Sequence, residues 1–158
     1  MVLTTGMLFG LEAQDVFDII AWQLLRQRAK SIGDDGRSCR YRGPRARRCA
    51  IGWIIPDTVY HPNHEGRTVR DLARELLNTW YGDRFARFLW QHIDLLGDLQ
   101  KMHDDRPVSA WPYELRRIAL CHYLVPAVVD DCPIPFATHA GADHVSGERE
   151  ETREAEPA

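Results

Sequence analysis

Lysine is nearly missing from this chain. Of its 20 basic residues only Lys30 and Lys101 are lysine; the rest are arginine. That bias has two readings. Guanidinium forks suit phosphate or carboxylate recognition, and arginine-rich coding by a GC-rich genome produces the same count. Cysteine is also sparse. Cys39, Cys49, Cys121 and Cys132 are too scattered for a disulfide framework, and reduced thiols are expected. No apolar run approaches the roughly 20 residues of a membrane span. The opening MVLTTGMLFGLEAQD lacks the charged start of a secretory signal. A cytoplasmic protein that does not enter the membrane is expected. With a net charge of −3, the molecule as a whole is no polyanion binder by charge alone. No internal repeat is visible.

What is present is enough for one core. Hydrophobic residues make up 44% of the 158, including five tryptophans, so a single domain over residues 1–137 is expected. Residues 138–158 are small, polar and acidic, the composition of a disordered tail.

Apolar spacing near 3.6 residues predicts helices over 15–30, 68–80, 84–103 and 110–124. Asp15 and Thr68 stand where N-caps belong, and Asp71 takes the acidic place of a capping box behind Thr68. Between the first two helices, residues 38–42 and 48–55 read as strands joined by the turn residues 43–47. The second strand, CAIGWII, is apolar throughout, as a doubly buried strand would be. Gly52 within it suggests a bulge or a close backbone approach. The expected fold class is therefore α+β: a mainly helical domain with a small antiparallel β-hairpin after the first helix.

Several constellations could carry chemistry. Arg37, Arg40, Arg42, Arg45, Arg47 and Arg48 crowd this hairpin. A basic ribbon neutralises phosphates; equally, charge on a solvated tip discourages edge pairing. Cys39, Cys49, His61 and His64 offer two thiols and two imidazoles, a candidate zinc set. Nine residues between the cysteines are a poor match to a zinc knuckle, and a packed Cys49 with two loop histidines reads as well. His103-Asp104 at a helix end has the dipeptide of HD-type phosphohydrolases, which require further ligands; His92 and His122 are the other helical histidines. Cys49 with His103 and an acid, Asp104 or Asp57, follows the chain order of papain-like thiol enzymes. A central apolar strand is an unusual seat for such a nucleophile, and His103 capping a helix end is the bland alternative. Trp111 reads as a core anchor for the last helix. Arg42 has Asp57 and Glu65 as possible ion-pair partners.

Taken together, Cys39-Arg40-Tyr41-Arg42, Cys49-Ala50-Ile51-Gly52, Ile55-Pro56-Asp57, Tyr60, Glu65-Gly66, Leu99-Gln100, His103-Asp104 and Trp111 resemble the pattern of a family of short hypothetical proteins of bacteriophages and bacteria. The resemblance covers most of residues 15–124. Ile54-Ile55 replaces the pattern's Leu-Ile, and the acidic tail is additional. The resemblance implies that Tyr41, Arg42, Cys49, Asp57, Glu65, His103 and Asp104 form one recurrent set, and it names no reaction. Two functions follow as expectations: a non-catalytic phage-type accessory module whose arginine segment (Arg40, Tyr41, Arg42, Arg45, Arg47, Arg48, with Asp57 and Glu65) engages a host protein or nucleic acid, or a thiol-dependent hydrolase or transferase using Cys49, His103 and Asp104.

Overall fold

A computed structural model describes residues 5–132. Seven α-helices make up the regular structure: α1 (Thr5–Leu8), α2 (Ala13–Gln27), α3 (Val69–Leu76), α4 (Asp83–Gln91), α5 (Ile93–Asp105), α6 (Trp111–Cys121) and α7 (Ala127–Asp130). Short 3-10 turns lie between them. Residues 138–158, read above as a disordered tail, lie outside the described residues. No helix among the described residues is long and apolar enough to cross a membrane.

Helix α2 buries Val16, Phe17, Ile20, Ala21, Leu24 and Leu25 along one stripe. Its first turn begins earlier than Asp15. Glu12 is the N-cap, and its backbone N–H donates to the Asp15 carboxylate at 2.9 Å, so Asp15 acts from the third helical position. Thr68 does cap α3, its hydroxyl accepting the Asp71 N–H at 3.1 Å. Trp111 is fully buried and lies 5.4 Å from the His103 ring, centroid to centroid.

The helix expected over 84–103 is two helices. They break at His92, which closes α4 and opens α5 with φ −115° and ψ 20°. The apolar period runs across the break, so periodicity alone cannot show it. His92 is buried edge-on against Phe88, with ring centroids 5.0 Å apart.

The β-hairpin and the α+β class are corrected: among the described residues there is no strand, and the fold is all-α. Two isolated antiparallel bridges, Ile32 with Cys39 and Arg42 with Arg48, are all that remains of the expected arginine-rich hairpin. The run CAIGWII is a helical turn. Trp53 N–H donates to Cys49 C=O at 3.3 Å, and the Ile54 and Ile55 N–H groups donate to Ile51 C=O at 3.0 and 3.2 Å. Continuous apolarity here reflects burial on every side, since Cys49, Ala50, Ile51, Ile54 and Ile55 are all at most 2% exposed. A short buried helical turn and a buried strand look alike in sequence.

Side chains occupy the places that a neighbouring strand would have filled. The Glu65 carboxylate accepts the N–H groups of Tyr41 and Arg42 at 2.6 and 3.0 Å. The Gln27 amide accepts the Arg48 N–H and donates to its carbonyl, both at 2.8 Å. With these backbone groups satisfied, no ladder is needed.

Candidate functional site

Glu65, Asp57 and His103 converge on the segment 39–42. Glu65 holds its backbone, and Tyr60 O–H adds a third donor to the same carboxylate at 2.9 Å. Tyr41 is buried, and its hydroxyl donates to Arg67 C=O at 2.7 Å. Arg42 lies 4.0 Å over the Tyr60 ring and donates to Asp57 at 2.6 Å and to Ile55 C=O at 3.2 Å. Arg48 stands 3.9 Å from the same Asp57. Tyr41, Arg42, Asp57 and Glu65 are thus engaged mainly with one another and with the chain that carries them.

The thiol beside His103 is Cys39. Its Sγ lies 3.4 Å from His103 Nδ1, and the same nitrogen is 2.9 Å from Asp104 Oδ1. His103 is fully buried, and its Nε2 accepts the N–H of buried Ser31 at 3.2 Å. That bond assigns the tautomer: Nε2 carries the lone pair, so Nδ1 carries the proton and donates to Asp104. The Cys39, His103 and Asp104 ligand-type atoms lie within 4.8 Å of one another. A neutral imidazole holding a metal through Nδ1 would place its proton on Nε2, against the Ser31 donor, and metal-bound histidines need an acceptor there. The cluster is a hydrogen-bonded triad.

Its electrostatics keep the thiol protonated. Burial pushes the Cys39 pKa well above the ordinary thiol range, and the neighbouring Asp104 carboxylate adds to the shift. Cys49 is pushed up to about 12, chiefly by burial. Its Sγ accepts the Gly52 N–H at 3.4 Å, and no hydrogen bond links it to His103. Neither sulfur is a thiolate at neutral pH, so the triad orients a carboxylate and arms no nucleophile. His61 and His64 each use Nδ1 to accept a backbone N–H. They do not gather with Cys39 and Cys49 into a ligand set among the described residues. His122 pairs with Asp98 at 2.9 Å, and His92 sits at the α4–α5 break, so neither adds to His103-Asp104.

Two concavities flank this region. The larger, about 720 Å³, lies between segment 38–41, the start of α3 and one face of α5, with Cys39 and Asp104 in its wall. The smaller, about 430 Å³, is lined by Arg26, Arg45 and Arg47 with Gln23, Gln27, Ala46 and Trp53. No carboxylate lines it, and none of these three arginines forms an ion pair among the described residues. Arg45 and Ala46 take left-handed backbone angles, φ 59° and 57°, a costly conformation for residues with a side chain. Arg26 lies 4.3 Å over the ring of Trp22, which is 43% exposed.

Arg26, Ser31 and Gln27 escaped the sequence reading. Arg26 and Gln27 gain a role only when segment 38–48 returns against α2, and Ser31 gains its own only where α5 brings His103 beside it. Cys39 was read as a zinc ligand. Its nearness to His103 crosses 64 residues and leaves no local signal. The chain matches no family model, no curated protein and no solved structure.

Proposed function

We propose that this chain is a non-catalytic interaction module of the phage-type accessory kind, and that it binds single-stranded nucleic acid through its arginine segment. One observation carries the reading: Arg26, Arg45 and Arg47 surround a single cavity that no carboxylate among the described residues neutralises. Phosphates supply the missing countercharge, and guanidiniums hold them bidentately. Trp22, exposed beneath Arg26, and Trp53 in the cavity wall supply faces on which bases stack. The strained Arg45-Ala46 backbone fits a segment held for recognition rather than for packing. The thiol-enzyme alternative draws no support from a buried, protonated Cys49 without an imidazole partner.

Fluorescence anisotropy with a labelled single-stranded oligonucleotide tests this across a salt series. Arg45→Glu with Arg47→Glu is expected to weaken binding more than about tenfold and to flatten the salt dependence, because two phosphate contacts are lost. Absence of binding at low salt, or equal binding by the double variant, overturns it. Capture of an acidic host protein with no oligonucleotide binding also overturns the nucleic-acid reading.

A further inference from the structure

Asp57 stands between two guanidiniums and serves both with one oxygen. Its Oδ1 accepts from Arg42 Nη2 at 2.6 Å and lies 3.9 Å from Arg48 Nη2. No other hydrogen bond reaches this carboxylate among the described residues. The side chain is 55% exposed, so water and other anions have access to it.

The two arginines are held more firmly than the acid they share. The isolated bridge between residues 42 and 48 sets them side by side. Arg42 lies over the Tyr60 ring and also donates to Ile55 C=O at 3.2 Å. Arg48 lies 5.5 Å from the Trp53 ring centroid and donates weakly to Gly52 C=O at 3.4 Å. Their side chains are only 23% and 27% exposed. Burial first, then repulsion from Arg42, lowers the Arg48 pKa, and Asp57 opposes the shift. Glu65, the other carboxylate near Arg42, is taken up by two backbone N–H groups and the Tyr60 hydroxyl. Two anchored cations thus share one loosely held anion.

Their position gives the pair a meaning. Trp53 stands in the wall of the arginine cavity, and Arg48 lies over its ring. Arg48 also follows Arg47, which lines the same cavity. Arg42 and Arg48 therefore continue the cationic surface beyond the cavity, each backed by an aromatic ring.

We infer that Asp57 holds the place of a phosphate: a strand seated in the arginine cavity lays a neighbouring phosphate on Arg42 and Arg48 and displaces the carboxylate. This rests on the nucleic-acid reading above and makes Asp57 a built-in competitor that limits affinity. A phosphodiester carries the same single negative charge and two free oxygens, one for each guanidinium. Displacing Asp57 costs little, because an exposed ion pair contributes little.

Anisotropy titrations of the full chain with a labelled single-stranded oligonucleotide test this across a salt series. Asp57→Asn keeps an acceptor for Arg42 and removes the competing charge. It is expected to bind about fivefold more tightly at low salt. Asp130→Asn is the matched control, because Asp130 is equally exposed in its pair with Arg116, and should bind as the parent does. Arg48→Gln should weaken binding about fivefold and reduce the slope of log affinity against log salt by about 0.7, the loss of one phosphate contact. Circular dichroism checks that each variant is folded; Arg48→Gln decides should Asp57→Asn fail to fold. Three results overturn the inference while leaving the arginine-cavity reading standing. They are Asp57→Asn binding no tighter than the parent, Asp130→Asn gaining as much, or Arg48→Gln keeping the parent's slope. A parent that binds no oligonucleotide at low salt overturns both.

Discussion

The carbonyl oxygen of Tyr41 occupies the place where residue 52 would carry a side chain: a Cβ on Gly52 would stand 1.8 Å from it. The contact is backbone on both sides and cannot be relieved by a rotamer change. Gly52→Ala is therefore expected to cost about 3 kcal/mol or more and to leave much of the protein unfolded or aggregated. Urea denaturation followed by tryptophan fluorescence measures the loss; a shift below about 1 kcal/mol would show that segment 41–52 yields easily.

Glu65 replaces a missing strand by accepting two backbone N–H groups and a tyrosine hydroxyl. Glu65→Ala strands the Tyr41 and Arg42 donors and should cost about 2–4 kcal/mol, whereas Tyr60→Phe, which removes one donor and leaves no orphan, should cost about 1. The same denaturation series separates the two values.

Thiol reactivity reports the electrostatics of the triad. Cys121 is exposed and should react first with iodoacetamide, Cys39 slowly, and buried Cys49 last. Asp104 raises the Cys39 pKa, so Asp104→Asn should speed alkylation at Cys39, by about tenfold for each unit the pKa falls. Peptide mass mapping over time reads the order; an unchanged Cys39 rate would mean that burial alone protects it.

The same shifts make stability depend on pH at the alkaline end. Cys39, Cys49 and Tyr41 all have folded-state pKa values raised above their unfolded ones, chiefly by burial. A group of this sign stabilises fully below its unfolded pKa and loses that contribution as pH rises towards the folded one. For the thiols the unfolded value is 9.0, so stability should decline from about pH 9 upward as the unfolded state gives up protons that the folded state keeps. Cys49→Ala should flatten this decline in denaturation midpoints measured from pH 8 to 10.5.

Residues 143–158 are acidic in sequence, and we propose that this charge competes with an oligonucleotide for the arginines. Removing residues 143–158 should raise oligonucleotide affinity at low salt and change it little at high salt, where the interaction is screened. Equal affinities at low salt would show that the tail does not compete.

Helical periodicity, the Thr68 cap and the core role of Trp111 were legible in the chain, because each depends on neighbours within a turn or on side-chain size. Gly52 was legible too, as a point of close approach, although not as the partner of the Tyr41 carbonyl. The false hairpin arose from the same local logic. Apolar CAIGWII is compatible with strand or buried turn, and the choice lay with Glu65 and Gln27, whose side chains satisfy the 41–42 and 48 backbone from 23 to 24 and 21 residues away. The tertiary structure alone chose Cys39 over Cys49 as the thiol beside His103 and assembled Arg26 with Arg45 and Arg47. These are facts of long-range proximity. Sequence determines local propensity and pattern directly, but which distant groups meet is decided only when burial and backbone satisfaction are settled for the whole chain together.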